Sequence, residues 1–343
     1  MDEKKTNPQQ ISSTPVATEK LPADKKKNWQ CRWVSGKDQD ALLSLFLSAF
    51  GQVMPASLWT WKYAGSCKQG VLAHVNGKVI AYYGGIPRSL WLHGKELPAV
   101  QICDVMVAPE MRGILTRSGA FACTAKTFLQ AQTGINKPYR LAFGFPSVRA
   151  ARLGETLGLY ARGDTLLAAV WTNHPSINLP FWLKIQPLSS CNDAIFDRLW
   201  QDMRLSLENT VLPQKDAAFF RWRYLEHPVY SYHVYTLSWR WLNKAVGVLV
   251  LRDHGPDLGM ELMDLLGPPN VLGLLLKAAQ NIAGNMGRQR LFTWITPFIL
   301  SMLPSPSSQA EITGVYIDPP ALKEMASHLQ NHCWFMGGDT DFR

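Results

Sequence analysis

The sequence lacks the cysteine patterns that are typical of a metal site. It has six cysteines, but none forms a Cys-x-x-Cys pair and none stands in a zinc-like array with histidine. Scattered cysteines are usually small buried hydrophobic residues, and Cys103 and Cys123 fit that description on a predicted strand and a predicted helix. We therefore expect no metal cofactor. The cysteines stand at positions 31, 67, 103, 123, 191 and 333.

Long apolar runs are also missing. No uninterrupted stretch approaches the roughly 18 apolar residues of a membrane span, since Lys277 interrupts even the run from Val271 to Ala283. The polar start, Met1-Asp2-Glu3-Lys4-Lys5, has no apolar region of the kind found in signal peptides. We therefore expect a cytoplasmic protein without a membrane span.

Two functional signatures are absent as well. No Ser or Cys stands in a nucleophile-elbow pattern, which argues against a covalent enzyme intermediate. No helix-turn-helix, zinc or aromatic RNA-binding signature is present, so nucleic acid is not the expected partner. A steep salt dependence of the affinity for oligonucleotides would instead support a nucleic-acid-binding protein.

What the chain does have is length, apolar content and positive charge. Its 343 residues are 47% hydrophobic, which is typical of a globular protein of one large domain or two ordinary ones. The formal net charge is +9, from 35 Lys and Arg against 26 Asp and Glu. Such a balance suits an anionic partner, such as a phosphate-bearing cofactor, an acidic polymer, nucleic acid or a membrane surface, and does not choose among them.

Hydrophobic periodicity predicts an alternation of strands and helices. Residues 1–28 are too polar to bury a core and are interpreted as a flexible tail. Gln39 to Phe50 has helical spacing and is followed by a C-cap glycine, Gly51. Asn76-Gly77 between two apolar runs predicts a β-hairpin. Strands are predicted at residues 31–34, 71–75, 79–84, 89–93, 100–107, 139–143 and 165–171, and further helices at 120–132, 149–157 and 193–207.

The most informative segment runs from residue 99 to residue 160. An apolar strand ends at Val107 and leads through a turn containing Arg112 into an amphipathic helix, and a second strand then ends at Phe143-Gly144. A strand that runs into a helix N-terminus offers backbone N–H groups and a positive dipole end to an anion. On spacing alone the segment is equally compatible with an ordinary β-α-β-α unit.

The same segment resembles the acyl-CoA-binding core of the GCN5-related N-acetyltransferase (GNAT) superfamily. Asp104 to Val107, Pro109-Glu110 and Arg112-Gly113 carry the resemblance, and Phe143 to Tyr160 is similar to the later strand and helix of that core. The resemblance implies an α/β fold with a mixed, mostly antiparallel sheet flanked by helices. It also implies transfer of an acetyl or other acyl group from acyl-CoA to a primary amine, by direct attack.

By resemblance, the cofactor lies along one strand and the turn after it. The pantetheine arm would pair with the edge of the first strand in a gap beside the second, as a peptide adds to a sheet. The turn departs from the family pattern because Leu115 stands where a small residue is expected. The expected cofactor-binding residues are Val105, Met106, Val107, Arg112, Gly113, Ile114, Leu115, Thr116, Arg117, Ser118, Gly119, Phe143 and Gly144.

The resemblance also suggests catalytic groups. Asp104 is the expected general base, although an aspartate at a strand end can equally bond backbone N–H groups. The family's acid is often a tyrosine, and its position falls here on Gly154, so Tyr160 is the expected substitute. Glu110 is a second candidate for the base, but in the turn it is expected to pair with a basic neighbour or to help the helix start. A buried structural role for Tyr160 is the alternative.

The second half of the chain echoes the first. Trp61-Lys62-Tyr63 is similar to Trp222-Arg223-Tyr224, and Asp104 after an apolar strand is similar to Asp264. A repeat of this length suggests two copies of one domain, and tandem halves are known in the superfamily. Pro268-Pro269 stands where the second copy would need its binding turn, and proline lacks the N–H donor. We expect a tail at 1–28, an acyl-CoA-binding domain at 29–172, a connector with one helix at 173–215 and a degenerate domain at 216–343.

Several alternatives remain open from the sequence. The amine acceptor would be an amino sugar, a small amine or a lysine side chain, and the oligomeric state is not indicated. An aminoacyl or peptidyl transferase of the related duplicated fold is the nearest enzyme alternative. A CoA-binding protein without turnover is the other, and the altered turn and missing tyrosine favour it.

Overall fold

The computed structural model describes residues 29–64, 70–112, 119–173, 179–188 and 192–343, without the side chains at 322, 324 and 326–328. The predicted tail at 1–28 lies outside these residues. The strands are β1 (Gln30–Trp33), β2 (Gly70–Val75), β3 (Lys78–Leu92), β4 (Lys95–Val107), β5 (Leu141–Gly144), β6 (Ala161–Thr172), β7 (Leu183–Pro187), β8 (Leu212–Pro213), β9 (His233–Trp239), β10 (Lys244–Asp253), β11 (Met260–Leu266), β12 (Arg290–Ile295) and β13 (Ser308–Ile317).

Helices cover the faces of the sheet and alternate with the strands along the chain. They are α1 (Gln39–Phe50), α2 (Ala56–Tyr63), α3 (Ala120–Gln132), α4 (Val148–Thr156), α5 (Asp193–Ser206), α6 (Ala217–Phe220), α7 (Gly255–Leu258), α8 (Leu272–Asn285), α9 (Pro297–Ser301) and α10 (Pro319–Leu329). Within the described ranges, none of these helices is long and apolar enough to cross a membrane.

All strands join one continuous mixed sheet. Its order is β1-β2-β3-β4-β5-β13-β6-β12-β11-β10-β9-β7, with β8 attached to β3. The pairs β4–β5 and β11–β12 are parallel, and the other named pairs are antiparallel. The predicted α/β fold with a mostly antiparallel sheet is therefore confirmed.

Local sequence signals explain several elements. Helix α1 ends at Gly51, whose φ of 71° is the left-handed conformation that glycine adopts at a helix end. Asn76 and Gly77, with φ values of 48° and 79°, form the tight turn of the β2–β3 hairpin. The predicted helix at 120–132 matches α3. The two strands predicted at 79–84 and 89–93 are instead the single long strand β3.

The centre of the sheet interleaves the two halves of the chain. Strand β13, from the second half, lies between β5 and β6 of the first half. Strand β6, from the first half, lies between β13 and β12 of the second half. The region predicted as a connector with one helix contains α5 and also two strands of the sheet, β7 and β8. Both halves therefore share one framework.

The cysteines differ in part from the prediction. Cys31 of β1 and Cys123 of α3 form a disulfide across 92 residues of sequence, so the expectation that Cys123 is a free buried thiol was wrong. The sequence does not reveal the pair because the two residues meet only when α3 packs against the edge of the sheet. Cys103 is free and buried as expected, and Cys333 is also free and buried. Cys67 and Cys191 lie outside the described residues.

Candidate active site

The site begins where two parallel strands separate. Strands β4 and β5 pair at three positions, the last of which joins Gln101 to Phe143. Three residues further along β4, the register against β3 shifts, so that Asp104 and Val105 together oppose the single residue Tyr83. Asp104 has a φ of 48°, which is unusual for a residue other than glycine. This β-bulge turns β4 away from β5 and opens a gap between them.

The gap leads into a cavity of about 940 Å³. Its walls are mostly apolar side chains from α1, α2, β4, β5 and α4, with a few charged and polar groups at one end. A cavity of this size is at the upper end of the range for small-molecule and cofactor sites. The lining residues include Phe46, Phe50, Met54, Leu58, Lys62, Tyr83, Ile102, Asp104, Val105, Phe143, Gly144, Phe145, Leu159, Tyr160, His227, Tyr230, Asp341 and Phe342.

Lys62 joins two carboxylates at the charged end. Its Nζ lies 2.9 Å and 3.0 Å from the two carboxylate oxygens of Asp104 and 2.9 Å from Oδ2 of Asp341. The Tyr63 hydroxyl donates to Asp104 Oδ2 at 2.8 Å. All of these side chains are nearly enclosed. Both oxygens of Asp104 therefore accept bonds from side chains, whereas the carboxylate of Asp341 accepts from Lys62 and from its own backbone N–H.

The electrostatics of this cluster favour a proton acceptor. Burial raises the pKa of Asp341, and the neighbouring charge of Asp104 raises it further, while Lys62 opposes both effects. Burial disfavours the ammonium of Lys62, but the two carboxylates outweigh it and raise the pKa of Lys62 above its usual value. Lys62 therefore stays charged beside a carboxylate that binds a proton more readily than an ordinary aspartate.

His227 reaches the same cavity from the second half of the chain. Its Nδ1 accepts hydrogen bonds from the backbone N–H groups of Val229 at 3.2 Å and Tyr230 at 3.0 Å. Burial and nearby cations lower the pKa of His227 to about 4. The ring is therefore neutral near pH 7 and carries its proton on Nε2.

Most of the predicted cofactor-binding residues fall into three groups: some line the cavity, some lie at the end of β4, and some lie outside the described residues. Val105, Phe143 and Gly144 line the cavity. Met106 is buried beside Val107 at the end of β4. The predicted turn residues Gly113, Ile114, Leu115, Thr116, Arg117 and Ser118 lie outside the described residues.

The two ends of the predicted turn are described. Arg112 donates to the carbonyl oxygens of Val107 at 3.1 Å and Ala49 at 2.6 Å, and so ties the end of β4 to α1. Gly119 is the N-cap of α3. Glu110 pairs with Lys78 at 2.7 Å, as the sequence predicted.

Tyr160 occupies the space that a side chain at position 154 would need. A Cβ atom built on Gly154 would lie 1.9 Å from the Tyr160 ring. Tyr160 lines the cavity, and burial raises the pKa of its hydroxyl above the usual value. Tyr83 also lines the cavity, and burial raises the pKa of its hydroxyl, as does its hydrogen bond with the neighbouring Tyr160 hydroxyl.

Sequence reasoning missed Lys62, Asp341 and His227. Lys62 was noticed only as the centre of a repeated aromatic triplet, which was a usable signal. Asp341 had none, because it lies 279 residues from Lys62 in the chain. His227 follows the second triplet closely but carries no motif of its own.

The second half contains a matching but closed arrangement. Lys215 Nζ lies 2.8 Å from Asp264 and 3.0 Å from Asp339, and Tyr224 donates to Asp264 at 2.8 Å, all fully buried. Strands β11 and β12 also separate after two pairs, but the segment around Gly338 lies between them. A Cβ atom on Gly338 would approach the Met263 carbonyl oxygen to 2.9 Å. This second gap is therefore filled by the chain itself.

A pair of tryptophans, one from each repeated triplet, connects the two halves of the chain. The rings of Trp61 and Trp222 stack 4.4 Å apart, and each indole N–H donates to the backbone carbonyl of the other residue. Their sequence separation of 161 residues equals the spacing of the repeated triplets. The echo in the sequence therefore corresponds to reciprocal contacts in the structure.

Comparison with known proteins points to one superfamily. Residues 30–150 match the family model of the acetyltransferase (GNAT) domain. A probable N-acyltransferase from Enterococcus faecalis V583 aligns with a TM-score of 0.66 at 14% identity, covering 84% of this chain and 72% of its own. A GCN5-related N-acetyltransferase from Anabaena variabilis ATCC 29413 aligns with a TM-score of 0.62 at 16% identity, covering 84% and 72%.

A third similar structure is Saccharomyces cerevisiae N-myristoyltransferase with bound myristoyl-CoA, with a TM-score of 0.53 and 11% identity over 88% of this chain and 85% of that one. At these identities the structures show a shared fold. No curated protein matches the sequence significantly. The resemblance expected from the sequence is confirmed: residues 30–150 match the GNAT acetyltransferase domain, and the chain has the N-acyltransferase fold of that superfamily.

Proposed function

We propose that this protein transfers an acyl group from acyl-CoA to a primary amine. The main support for the proposal is the gap between β4 and β5. It forms at the β-bulge in β4 and opens onto the buried Lys62–Asp104–Asp341 cluster. It lies largely within the segment that matches the GNAT domain. The activity is expected in the cytoplasm, on a small-molecule amine, an amino sugar or a lysine side chain.

Acyl-CoA fits the open gap of the first half. Backbone groups from Asp104 to Val107 would pair with the amide-rich pantetheine arm, as a strand pairs with a sheet edge. The pyrophosphate would lie at the start of α3, toward residues 112–119. The apolar cavity of about 940 Å³ exceeds the needs of an acetyl group, so the donors to be tested extend from acetyl-CoA to myristoyl-CoA.

The base is the carboxylate pair, with Asp341 as the member that takes the proton. Asp104 was the expected base, but its two oxygens already accept bonds from Lys62 and Tyr63. Its charge instead raises the pKa of Asp341, whose side chain lines the cavity. Asp341 would remove one proton from the ammonium form of the acceptor and leave a neutral, nucleophilic nitrogen.

The chemical step then needs a stabilised carbonyl oxygen and an acid. The amine nitrogen forms a bond to the thioester carbon, and the carbon–sulfur bond breaks as the tetrahedral centre collapses. Tyr160, whose raised pKa keeps its hydroxyl protonated, would give its hydroxyl proton to the leaving sulfur. The second proton that the amine nitrogen loses after it bonds to carbon would return through solvent to the tyrosinate, and the proton held by Asp341 would be released to solvent. His227 offers an Nε2–H donor to a polar atom of the acceptor.

The second half would support the first without a second reaction. Its equivalent cluster, Lys215 with Asp264 and Asp339, is fully buried, and the segment around Gly338 fills its gap. Duplication of one domain, with the late strands exchanged at the centre, accounts for both clusters and for the Trp61–Trp222 pair. We accordingly assign one donor site to each chain.

The test is calorimetric titration of the folded protein with acetyl-CoA and longer acyl-CoAs, with 3′-dephospho-CoA as the comparison ligand. We expect micromolar binding of one donor per chain, followed by acylation in a screen of amine acceptors. Donor binding without turnover on any amine would favour a CoA-binding protein. No donor binding by the folded chain would overturn the proposal.

A further inference from the structure

An exposed apolar tip lies at one edge of the sheet, formed by Phe181, Trp182, Trp241 and Leu242. The first two precede β7, and the last two lie in the β9–β10 turn. Their exposed fractions are 69%, 42%, 71% and 74%. Phe181 contacts both Trp182 and Trp241, with ring centroids 5.1 Å and 5.7 Å apart. Large apolar side chains clustered in solvent usually mark an interaction site.

Hydrogen bonds hold this tip in a fixed shape. Arg240 donates from Nε to the carbonyl oxygen of Phe181 at 2.6 Å and from a terminal nitrogen to that of Leu183 at 3.1 Å. Its backbone N–H donates to the carbonyl of Trp182 at 2.8 Å. The two loops are thereby joined with their apolar side chains outward. None of the four tip residues lines the cavity of the candidate active site.

The surroundings of the tip are basic. Residues 179–188 and 232–252 contain no Asp or Glu, and they contribute Lys184, Arg240 and Lys244 close to the tip. Where α5 approaches the start of β10, Arg198 donates to the Ala245 carbonyl and pairs with Asp202. The whole chain carries a formal charge of +9.

We propose that this tip docks the protein on an anionic lipid bilayer. Trp, Phe and Leu side chains enter the boundary between headgroups and acyl chains, and nearby lysines attract anionic headgroups. The alternative occupant is a second copy of the chain. Four side chains of about 150–250 Å² each, partly exposed, offer roughly 500 Å², which is less than the ~800 Å² that each partner of a standard interface buries.

Vesicle co-sedimentation of the full chain tests the proposal. The probes are vesicles of phosphatidylcholine alone and of phosphatidylcholine mixed with phosphatidylglycerol. We expect binding to the mixed vesicles that weakens as salt is raised. The double variant W241S/L242S should abolish it, whereas L205S, at an apolar position of α5 that is 68% exposed, should bind as the parent does. Lys244→Gln should weaken binding about fivefold.

Both variants change exposed side chains, and urea unfolding verifies that they fold. The proposal would be overturned if the parent protein bound neither kind of vesicle. It would also be overturned if L205S lost as much binding as W241S/L242S does. A dimer in solution that W241S/L242S dissociates, without vesicle binding, would assign the tip to a second copy instead. None of these outcomes depends on acyl transfer.

Discussion

Lys62 shows how a single residue organises the site. Its ammonium lies between Asp104 and Asp341, both nearly buried, and each carboxylate would be costly to bury without it. Because Asp104 and Asp341 share one cation, the charge of each affects the pKa of the other. Substitutions in this cluster should therefore change the pH dependence of turnover as well as its rate.

Asp104→Asn should move the acid limb of the rate profile to lower pH. A base acts when deprotonated, so turnover is lost as the pH falls through its pKa. Removing the charge of Asp104 removes one cause of the raised pKa of Asp341, so the loss should occur at lower pH. Asp341→Asn should instead reduce turnover by about 10²–10⁴-fold while the donor still binds.

The measurement is kcat/KM against pH for the parent and each variant. His227→Gln is the control, because His227, with a pKa of about 4, is already neutral over the working range. Its acid limb should match that of the parent. Unchanged turnover in Asp341→Asn would show that Asp341 is not the base.

Gly154→Ala should destabilise the protein. The new Cβ would lie 1.9 Å from the Tyr160 ring, so the ring or helix α4 must move, at a cost of about 1–3 kcal/mol. Gly273→Ala is the matched control, since Gly273 also lies in a helix and nothing is within 4 Å of its added Cβ. That change should be neutral or stabilising by up to about 1 kcal/mol. Urea unfolding measures both, and equal effects would contradict this account of Tyr160.

At the scale of elements, the separation of β4 from β5 makes the site. The bulge at Asp104 bends β4 away just after the last pair, Gln101 with Phe143. The same separation of β11 from β12 makes a second gap, which the segment around Gly338 fills. Similar strands thus give an open gap in one half and a closed one in the other.

Gly144→Val should narrow the open gap. Gly144 is the last residue of β5, and its added Cβ would already lie 3.1 Å from the Ile102 carbonyl oxygen across the gap. Branched methyl groups there would occupy space that the pantetheine arm needs. We expect acetyl-CoA affinity to fall by about tenfold or more, which corresponds to roughly 1.4 kcal/mol. Calorimetry measures the affinity. If the folded variant binds acetyl-CoA as the parent does, the donor does not bind in the gap between β4 and β5.

For the whole molecule, the Lys215 cluster holds the two halves and the end of the chain together. Lys215 pairs with Asp264 of β11 and with Asp339 near the end of the chain, and all three side chains are fully buried. Gln101 of β4 donates to the Asp339 backbone carbonyl at 2.8 Å. This cluster therefore connects the central strands of both halves.

Lys215→Met should lower the free energy of unfolding by about 3–5 kcal/mol, because it leaves the buried carboxylate of Asp264 without its cation and leaves Asp339 with Arg88 alone, at 3.5 Å. Lys78→Met is the comparison. It breaks an exposed pair with Glu110 and should cost no more than about 1 kcal/mol. Urea denaturation at neutral pH measures both. Equal losses would mean that the Lys215 cluster is less important for folding than its burial suggests.

Much of the fold could be predicted because its signals are local. The periodicity that predicts α1 and α3, Gly51 at a helix end and Asn76-Gly77 in a hairpin each depend on neighbours in the sequence. The resemblance around Asp104 is also local, since β4 and the turn after it are continuous in the chain.

The sequence by itself determined the α/β character, the match of residues 30–150 to the GNAT acetyltransferase domain and the strand on which the candidate site lies. Only the tertiary structure decided which residues meet there, because Lys62 and Asp341 are 279 residues apart and a hydrogen bond between them has no local pattern. It also decided which gap is open, since that depends on where the segment around Gly338 packs. Contacts between distant residues arise from the exchange of β6 and β13 at the centre of the sheet, which no periodicity encodes.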